Sequence, residues 1–475
     1  MSRFATIAEL ARALRGRKIS AVELATETCD LLETLAPRYH ALATLTRERA
    51  LTEARAADRA LARKAANPLT GIPYGAKDLL AARGAPTTWG APPYRDQVID
   101  MDATAIAKLK RVGAVLAAKL AMVELAGGGG YRYPSASLQG PGLNPWDRGR
   151  WSGGSSSGSA SAVGAGLVPF ALGSETSGSI GTPSAYCGVT GLRPTYGLVS
   201  RHGAMALSWT LDKIGPMART AEDCAIVLEA IAGPDADDRT ASGKRFRPLA
   251  ARAAASAAKR ARVGYAEEDV ADHASTEGKA ALAKGVAELR NIVPHFARAT
   301  LPAMPFGPMV QTVYASEGAS IFAELIEGPR FEELVDARQK AGLRASLEIK
   351  ARDYLRAMRL RTTLIEAYAA IFTNVDVILT MGRAATATRV TQPLDLPPTA
   401  GGAVAQPTKR PGNTGMIAAG NLAGLPAIFF PCGFATDGLP VGLQLVGPPF
   451  SEALLVAIVA AYQGETGHHL KRPRD

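Results

Sequence analysis

Serine chemistry is the first possibility this chain raises, in the run "GGSSSGSAS" from Gly153 to Ser161. Composition alone reads a Gly/Ser tract as solvated spacer. A spacer is flanked by polar chain, whereas this run continues into "ASAVGAGLVPFALGSETSGSIGTPSAYCGVTGLRPT", which is small and apolar. A serine becomes a nucleophile only when a base takes its proton. Gly154–Gly158 matches G-x-S-x-G with Ser156 central, but that turn needs a strand directly before it. The preceding "LNPWDRGRW", with its proline and charges, is a poor buried strand. A histidine base is also scarce: of the six His residues, only His202 has a glycine-rich setting. Lysine is the other base, because burial disfavours its charged form. One literal S-x-x-K, Ser256 to Lys259, lies in a basic alanine-rich stretch and lacks the companion motifs of the enzymes that use it.

The elements that must position such residues alternate between helix and strand. Thr6–Glu9 and Ser20–Glu23 each fit a capping box, so helices open the chain, and a longer helix is expected over about 40–65. "GIPYGAKDLL" (71–80) and "GAVLAAKL" (113–120) read as buried strands, the second preceded by an amphipathic helix. Residues 121–150 are loop-rich, and 236–372 reads as helical throughout. "VDVILT" (375–380), "GLPAIFFPCGF" (424–434) and "LPVGLQLVG" (439–447) return to strand and rejoin the earlier sheet. This organisation predicts one α/β domain over 1–475, a mixed central sheet covered by helices on both faces. Its parts are N-terminal helices (1–65), a core (66–235), a helical insertion shaping the pocket (236–372) and a C-terminal part (373–475).

Hydrophobic residues at 47% and charged residues at 20% exclude a disordered chain. The net charge of +11 could attract nucleic acid, but it is dispersed, and its densest stretch, 244–262, has no interleaved aromatics. No nucleic-acid partner is expected. Cys29, Cys187, Cys224 and Cys432 are far apart and without metal-ligand spacing, which predicts buried thiols in a reducing compartment. Neither a signal peptide nor an apolar run of about 20 residues is present, so a soluble cytoplasmic protein without membrane contact is expected.

"GIPYGAKD", the Gly/Ser run from Gly153, the "TSGSIG" segment and "NLAGLPAIFFPCGF…LPVGLQLVG" together resemble the amidase signature family. The resemblance spans most of 60–235 and 375–465. It implies a Ser–cis-Ser–Lys triad: Ser179 as nucleophile, Ser155 as relay, Lys77 as base. The two serines are 24 residues apart, as in the family. The resemblance also implies an oxyanion hole from the backbone amides of Thr176, Ser177, Gly178 and Ser179, supporting hydroxyls on Ser156 and Ser174, an acyl-enzyme, and no metal or organic cofactor. Two positions depart from the family pattern. Glu175 stands where an Asp is usual, and Gly181 where an Arg is usual, so the ion pair beside the nucleophile cannot form in that way and the pocket is expected to open.

For the substrate, "GGGG" at 127–130 and the loop after it suggest a flexible wall, with Gly128, Gly129, Tyr131 and Tyr133 as pocket residues. Neutral aryl or alkyl amides suit such a wall. A carbamate offers the same carbonyl to the same machinery, as does an aryl ester. The expected protein is a monomer or homodimer acting on a small amide or carbamate. The family also includes the glutaminase chain (the A chain) of the tRNA-dependent amidotransferase, whose substrate would want charged groups at both ends. A non-catalytic binding or assembly protein on the same fold predicts loss of a triad member, and all three are present.

Overall fold

The computed structural model describes residues 2–394 and 412–474. Eleven strands form a single sheet among the described residues. In chain order they are β1 (Leu42–Leu45), β2 (Pro73–Lys77), β3 (Val115–Leu120), β4 (Phe170–Glu175), β5 (Thr190–Arg193), β6 (Lys213–Ala218), β7 (Arg262–Tyr265), β8 (His295–Arg298), β9 (Val377–Met381), β10 (Ala427–Phe434) and β11 (Pro440–Val446). Their order across the sheet is β1-β3-β2-β4-β6-β5-β10-β11-β9-β7-β8. β3, β2 and β4 run parallel, as do β9, β7 and β8, and the remaining pairs are antiparallel. The sheet is therefore mixed, and the C-terminal strands rejoin it as the hydrophobic runs predict.

Both faces are covered, which the alternation along β10 makes plain. Ile428, Phe430 and Cys432 belong to the main core, with Tyr462 of the helix Glu452–Thr466. Ala427 and Phe429 belong to a second core, with Val313 of the helix Phe306–Ile321 and Tyr368 of the helix Ala351–Asn374. Period-2 alternation between two apolar environments requires helices on either side of the strand.

Both capping boxes are formed: the Thr6 and Ser20 hydroxyls accept from the amides of Glu9 and Glu23, whose carboxylates reach back. The third helix starts later than expected, at Arg47–Ala62, because β1 occupies residues 42–45. The reading of 236–372 as helical missed β7 and β8. These strands are four residues each, and β8, at the sheet edge, has no fully buried residue, so neither carries a strand-like apolar period. All four cysteines are buried thiols.

Candidate active site

The Gly/Ser run is not a spacer. Its second half forms the helix Ser157–Gly164, every residue of which is buried. The first half makes a tight passage in which the Gly154–Ser155 peptide is cis. Gly153 has φ +85°, and a Cβ there would strike the Pro183 backbone, so only glycine fits. The strand that an elbow serine requires is absent: Trp151 makes only an isolated bridge to Leu143.

Lys77 ends β2 and Ser174 lies near the end of the adjacent β4, so the sheet itself brings them together. Lys77 Nζ donates to Ser155 Oγ at 2.7 Å and to Ser174 Oγ at 2.9 Å. Lys77 is 0% exposed. Burial brings its ammonium down to about 7, although the nearby Asp212 and Glu175 charges push the other way. An amine at that value is substantially neutral at physiological pH and can accept a proton. Ser156 braces the same region. Its Oγ donates to the Ser174 carbonyl at 3.2 Å and accepts the Ser174 amide at 3.3 Å, and its amide donates to the Ser179 carbonyl at 3.3 Å.

Ser179 is half-buried, on the turn between β4 and the helix Gly181–Cys187. Gly178 has φ +95°, which opens this turn. The amides of Ser177, Gly178 and Ser179 donate to no protein acceptor among the described residues. Thr176 precedes them, its hydroxyl donating to Asp212 Oδ1 at 2.5 Å. Asp212 Oδ2 in turn accepts the Leu207 and Ser208 amides at 2.8 and 2.9 Å.

The residues at the two unusual positions have explicit roles. Glu175 Oε2 accepts the amides of Ile180 and Gly181, both at 2.9 Å, which follow the Ser179 turn directly. Its Oε1 meets Arg193 Nη1 and Asn421 Nδ2, each at 2.7 Å. Glu175 and Arg193 are both fully buried. Burial alone would raise the Glu175 carboxyl, but the Arg193 charge and the donated hydrogen bonds hold it at about 2. An ion pair thus does stand beside the Ser179 turn, supplied by Arg193 on β5. At Gly181, a Cβ would collide with the Phe429 ring. The expected opening of the pocket at Gly181 is therefore not found, because the ring of β10 fills the space. Arg193, Asn421, Asp212 and Phe429 were not singled out from sequence. Asn421 and Phe429 lie in the "NLAGLPAIFF" segment and Asp212 in "SWTLDKIGP", but the Glu175–Asn421 pairing spans 246 residues of sequence.

The glycine loop is clamped rather than flexible. A Cβ on Gly128 would meet Leu207 and Phe322, and one on Gly129 would strike Leu343 and the Gln339 carbonyl. Asp336 caps the helix Ala337–Ser346 and accepts the Arg132 and Tyr133 amides at 3.0 and 3.2 Å. Buried Glu124 accepts the Val335 and Asp336 amides. Tyr131 is half-buried, edge-on to Trp151 at 6.1 Å. Trp151 packs against Gly154 in turn, so this aromatic wall abuts the cis peptide. Tyr133 is exposed, its ring beneath the Arg132 guanidinium. His202 lies on the lining of a cavity that also reaches Ser174, Thr176 and Asp212, beside Trp209. Among the described residues, no helix is long and apolar enough to cross a membrane.

A family model described as Amidase matches residues 23–456. The chain is 35% identical, over 99% of both chains, to the A chain of the glutamyl-tRNA(Gln) amidotransferase of Coxiella burnetii. It is 37% identical, again over 99% of both, to the chain of the same name from Aromatoleum aromaticum. Among solved structures, the native peptide amidase of Stenotrophomonas maltophilia superposes with a TM-score of 0.84 at 27% identity, covering 99% of this chain and 98% of that one. The amidotransferase A chain from Thermotoga maritima superposes with a TM-score of 0.77 at 26% identity, covering 98% and 95%.

Proposed function

Since the chain belongs to the amidase family and acts on C–N bonds, we propose that it hydrolyses a carboxamide through an acyl-enzyme on Ser179. The observation that carries this is the 2.7 Å bond between fully buried Lys77 and Ser155, at the cis peptide. Neutral Lys77 takes the Ser155 proton, and Ser155 takes that of Ser179. The Ser179 oxygen then attacks the carbonyl carbon, and the oxyanion meets the amides of Thr176–Ser179. One such donor is typically worth about 3 kcal/mol of barrier. On collapse the C–N bond breaks, and the nitrogen leaves with the electron pair and a proton returned from Lys77 through Ser155. Water attacks the acyl carbon by the same relay, which frees the acid and Ser179. Ser174 holds the lysine, and Ser156 braces Ser174 and the Ser179 carbonyl.

Two substrate readings share this chemistry. The full-length relatives favour the amidotransferase glutaminase reading over the stand-alone amidase expected from sequence, and they imply a partner chain in place of a monomer or homodimer. Glutamine is therefore the first substrate to test. A structural observation supports the stand-alone reading. Position 181 offers no cation, because glycine stands there against the Phe429 ring. On that reading the substrates are small or aryl amides, with carbamates and aryl esters open to the same attack, and Gly128, Gly129 and Tyr131 form one wall.

The purified protein and Ser179→Ala, incubated with an aryl acetamide, the matching aryl carbamate and glutamine, test both levels. Cleavage lost in Ser179→Ala supports the chemistry, and cleavage that survives it refutes the nucleophile. Ammonia from glutamine alone selects the glutaminase reading, whereas turnover of an aryl substrate selects the stand-alone one.

A further inference from the structure

The Ser179 turn leaves the sheet between two buried carboxylates. Glu175, the last residue of β4, grips its far side through the Ile180 and Gly181 amides. The antiparallel register of β4 and β6 supplies the other. Glu175 pairs with Lys213, so the next residues along, Thr176 and Asp212, face each other just beyond the ladder. There the buried Thr176 hydroxyl donates to Asp212 Oδ1 at 2.5 Å.

Asp212 is itself held firmly. Its Oδ2 accepts the Leu207 and Ser208 amides at 2.8 and 2.9 Å. The Ser208 hydroxyl donates to Glu317, which also accepts the Thr210 amide and hydroxyl at 3.1 and 2.8 Å and the Tyr354 hydroxyl at 2.9 Å. Glu317 lies on the helix Phe306–Ile321 and Tyr354 on the helix Ala351–Asn374. A line of hydrogen bonds therefore runs from two covering helices, through residues 207–212, to the first residue of the Ser179 turn.

The Asp212 charge has the wrong sign to stabilise an oxyanion, so what it contributes there is geometry. An oxyanion needs amide N–H groups fixed at the place where its charge develops, and a misplacement of about 1 Å costs on the order of a hundredfold in rate. The amides of Ser177, Gly178 and Ser179 follow Thr176 directly, and Gly178, with φ +95°, gives this stretch the freedom of a glycine backbone. We infer that Asp212 is a positioning residue: through the Thr176 hydroxyl it fixes the near end of the Ser179 turn, as Glu175 fixes the far end. The inference rests on the acyl-enzyme reading above.

Thr176→Val keeps the shape of the side chain and the Asp212 carboxylate and removes only the hydroxyl donor, whereas Thr176→Ser keeps the donor. The experiment measures kcat and KM for 4-nitroacetanilide or glutamine, whichever the parent protein turns over. It also compares inhibition by 2,2,2-trifluoroacetophenone, which adds to a serine oxygen as a tetrahedral oxyanion, with inhibition by acetophenone, which does not. The expected result for Thr176→Val is a fall in kcat of at least about tenfold with KM within about twofold, the pattern of an interaction made in the transition state. Inhibition by the fluorinated ketone weakens by a similar factor, inhibition by acetophenone does not change, and Thr176→Ser restores the parent values. A bond that only closed the sheet would lower the unfolding temperature and leave kcat and both inhibition constants of the folded protein alone. That result overturns the inference, as does a rise in KM at constant kcat. Asp212→Asn leaves one oxygen for three donors and reads the same bond from its other side, so parent kcat in folded Asp212→Asn overturns the inference even where Thr176→Val does not fold. If the parent protein turns over neither substrate and forms no adduct with trifluoroacetophenone, the acyl-enzyme reading fails and takes the inference with it. If the parent does both and the variants match it, the inference alone fails.

Discussion

Glu175→Gln tests whether the buried ion pair holds the Ser179 turn. The wild-type carboxylate satisfies four donors at once: the Ile180 and Gly181 amides, Arg193 and Asn421. Glutamine presents one oxygen and one NH2, so either the two amides or the Arg193 side loses its acceptor, and Arg193 stays buried without its countercharge. Removing one partner of a buried pair typically costs about 3–5 kcal/mol. The lowered carboxyl points to the same size: a value of about 2, against an ordinary 4.5, corresponds to roughly 3 kcal/mol of stability. The sign is that of a lowered carboxyl, so the contribution is full above about pH 4.5 and disappears as pH falls through about 2. Urea unfolding of both proteins at pH 7 and pH 3 reads it directly. The expected gap is about 3 kcal/mol at pH 7, reduced by roughly half or more at pH 3. In protein that remains folded, kcat falls on the order of a hundredfold as the Ser179 turn shifts. Wild-type stability at pH 7, or a gap of equal size at both pH values, would overturn this role for Glu175.

Because Lys77 must be neutral to act, kcat/KM should climb about tenfold per pH unit below 7 and level off above it. A profile flat from pH 5 to 8 contradicts that role. Gly181→Ala should cost about 1–3 kcal/mol through collision with Phe429, and Phe429→Leu in the same chain should recover part of the loss, as a double-mutant cycle of thermal unfolding would show. Asp336→Ala removes the cap of the helix Ala337–Ser346 and the acceptor of the Arg132 and Tyr133 amides. It should cost about 1–2 kcal/mol and speed limited proteolysis near residues 130–135; unchanged cleavage there contradicts the clamp.

β2, β3, β9, β10 and β11 were legible because they are buried and read as apolar runs, whereas β4, β6 and β5, in the middle of the sheet, were not read as strands because glycines and charged residues interrupt them. The edge strands β1 and β8 were not legible either, because short half-exposed segments carry no period. Ser155, Ser179 and Lys77 stood out by motif, and the structure places Lys77 on Ser155. What supports them was hidden. Arg193 is one of 54 basic residues, and nothing local says that it is buried against Glu175. Gly181 suggested empty space, and only the strand order that sets β10 beside β5 explains the Phe429 ring there. Four consecutive glycines suggested mobility, yet Gly129 makes close backbone contact with Gly342 in the clamped loop.

Every role assigned to Lys77, Ser155 and the turn amides depends on an acyl group passing through Ser179, and that intermediate can be trapped. The protein is quenched in acid during turnover of an activated ester or anilide, digested, and its peptides are weighed. The expected result is the acyl mass on the peptide bearing Ser179, and none in Ser179→Ala. An adduct on Ser155, Ser156 or Ser157 instead, or continued hydrolysis by Ser179→Ala, would contradict the assignment.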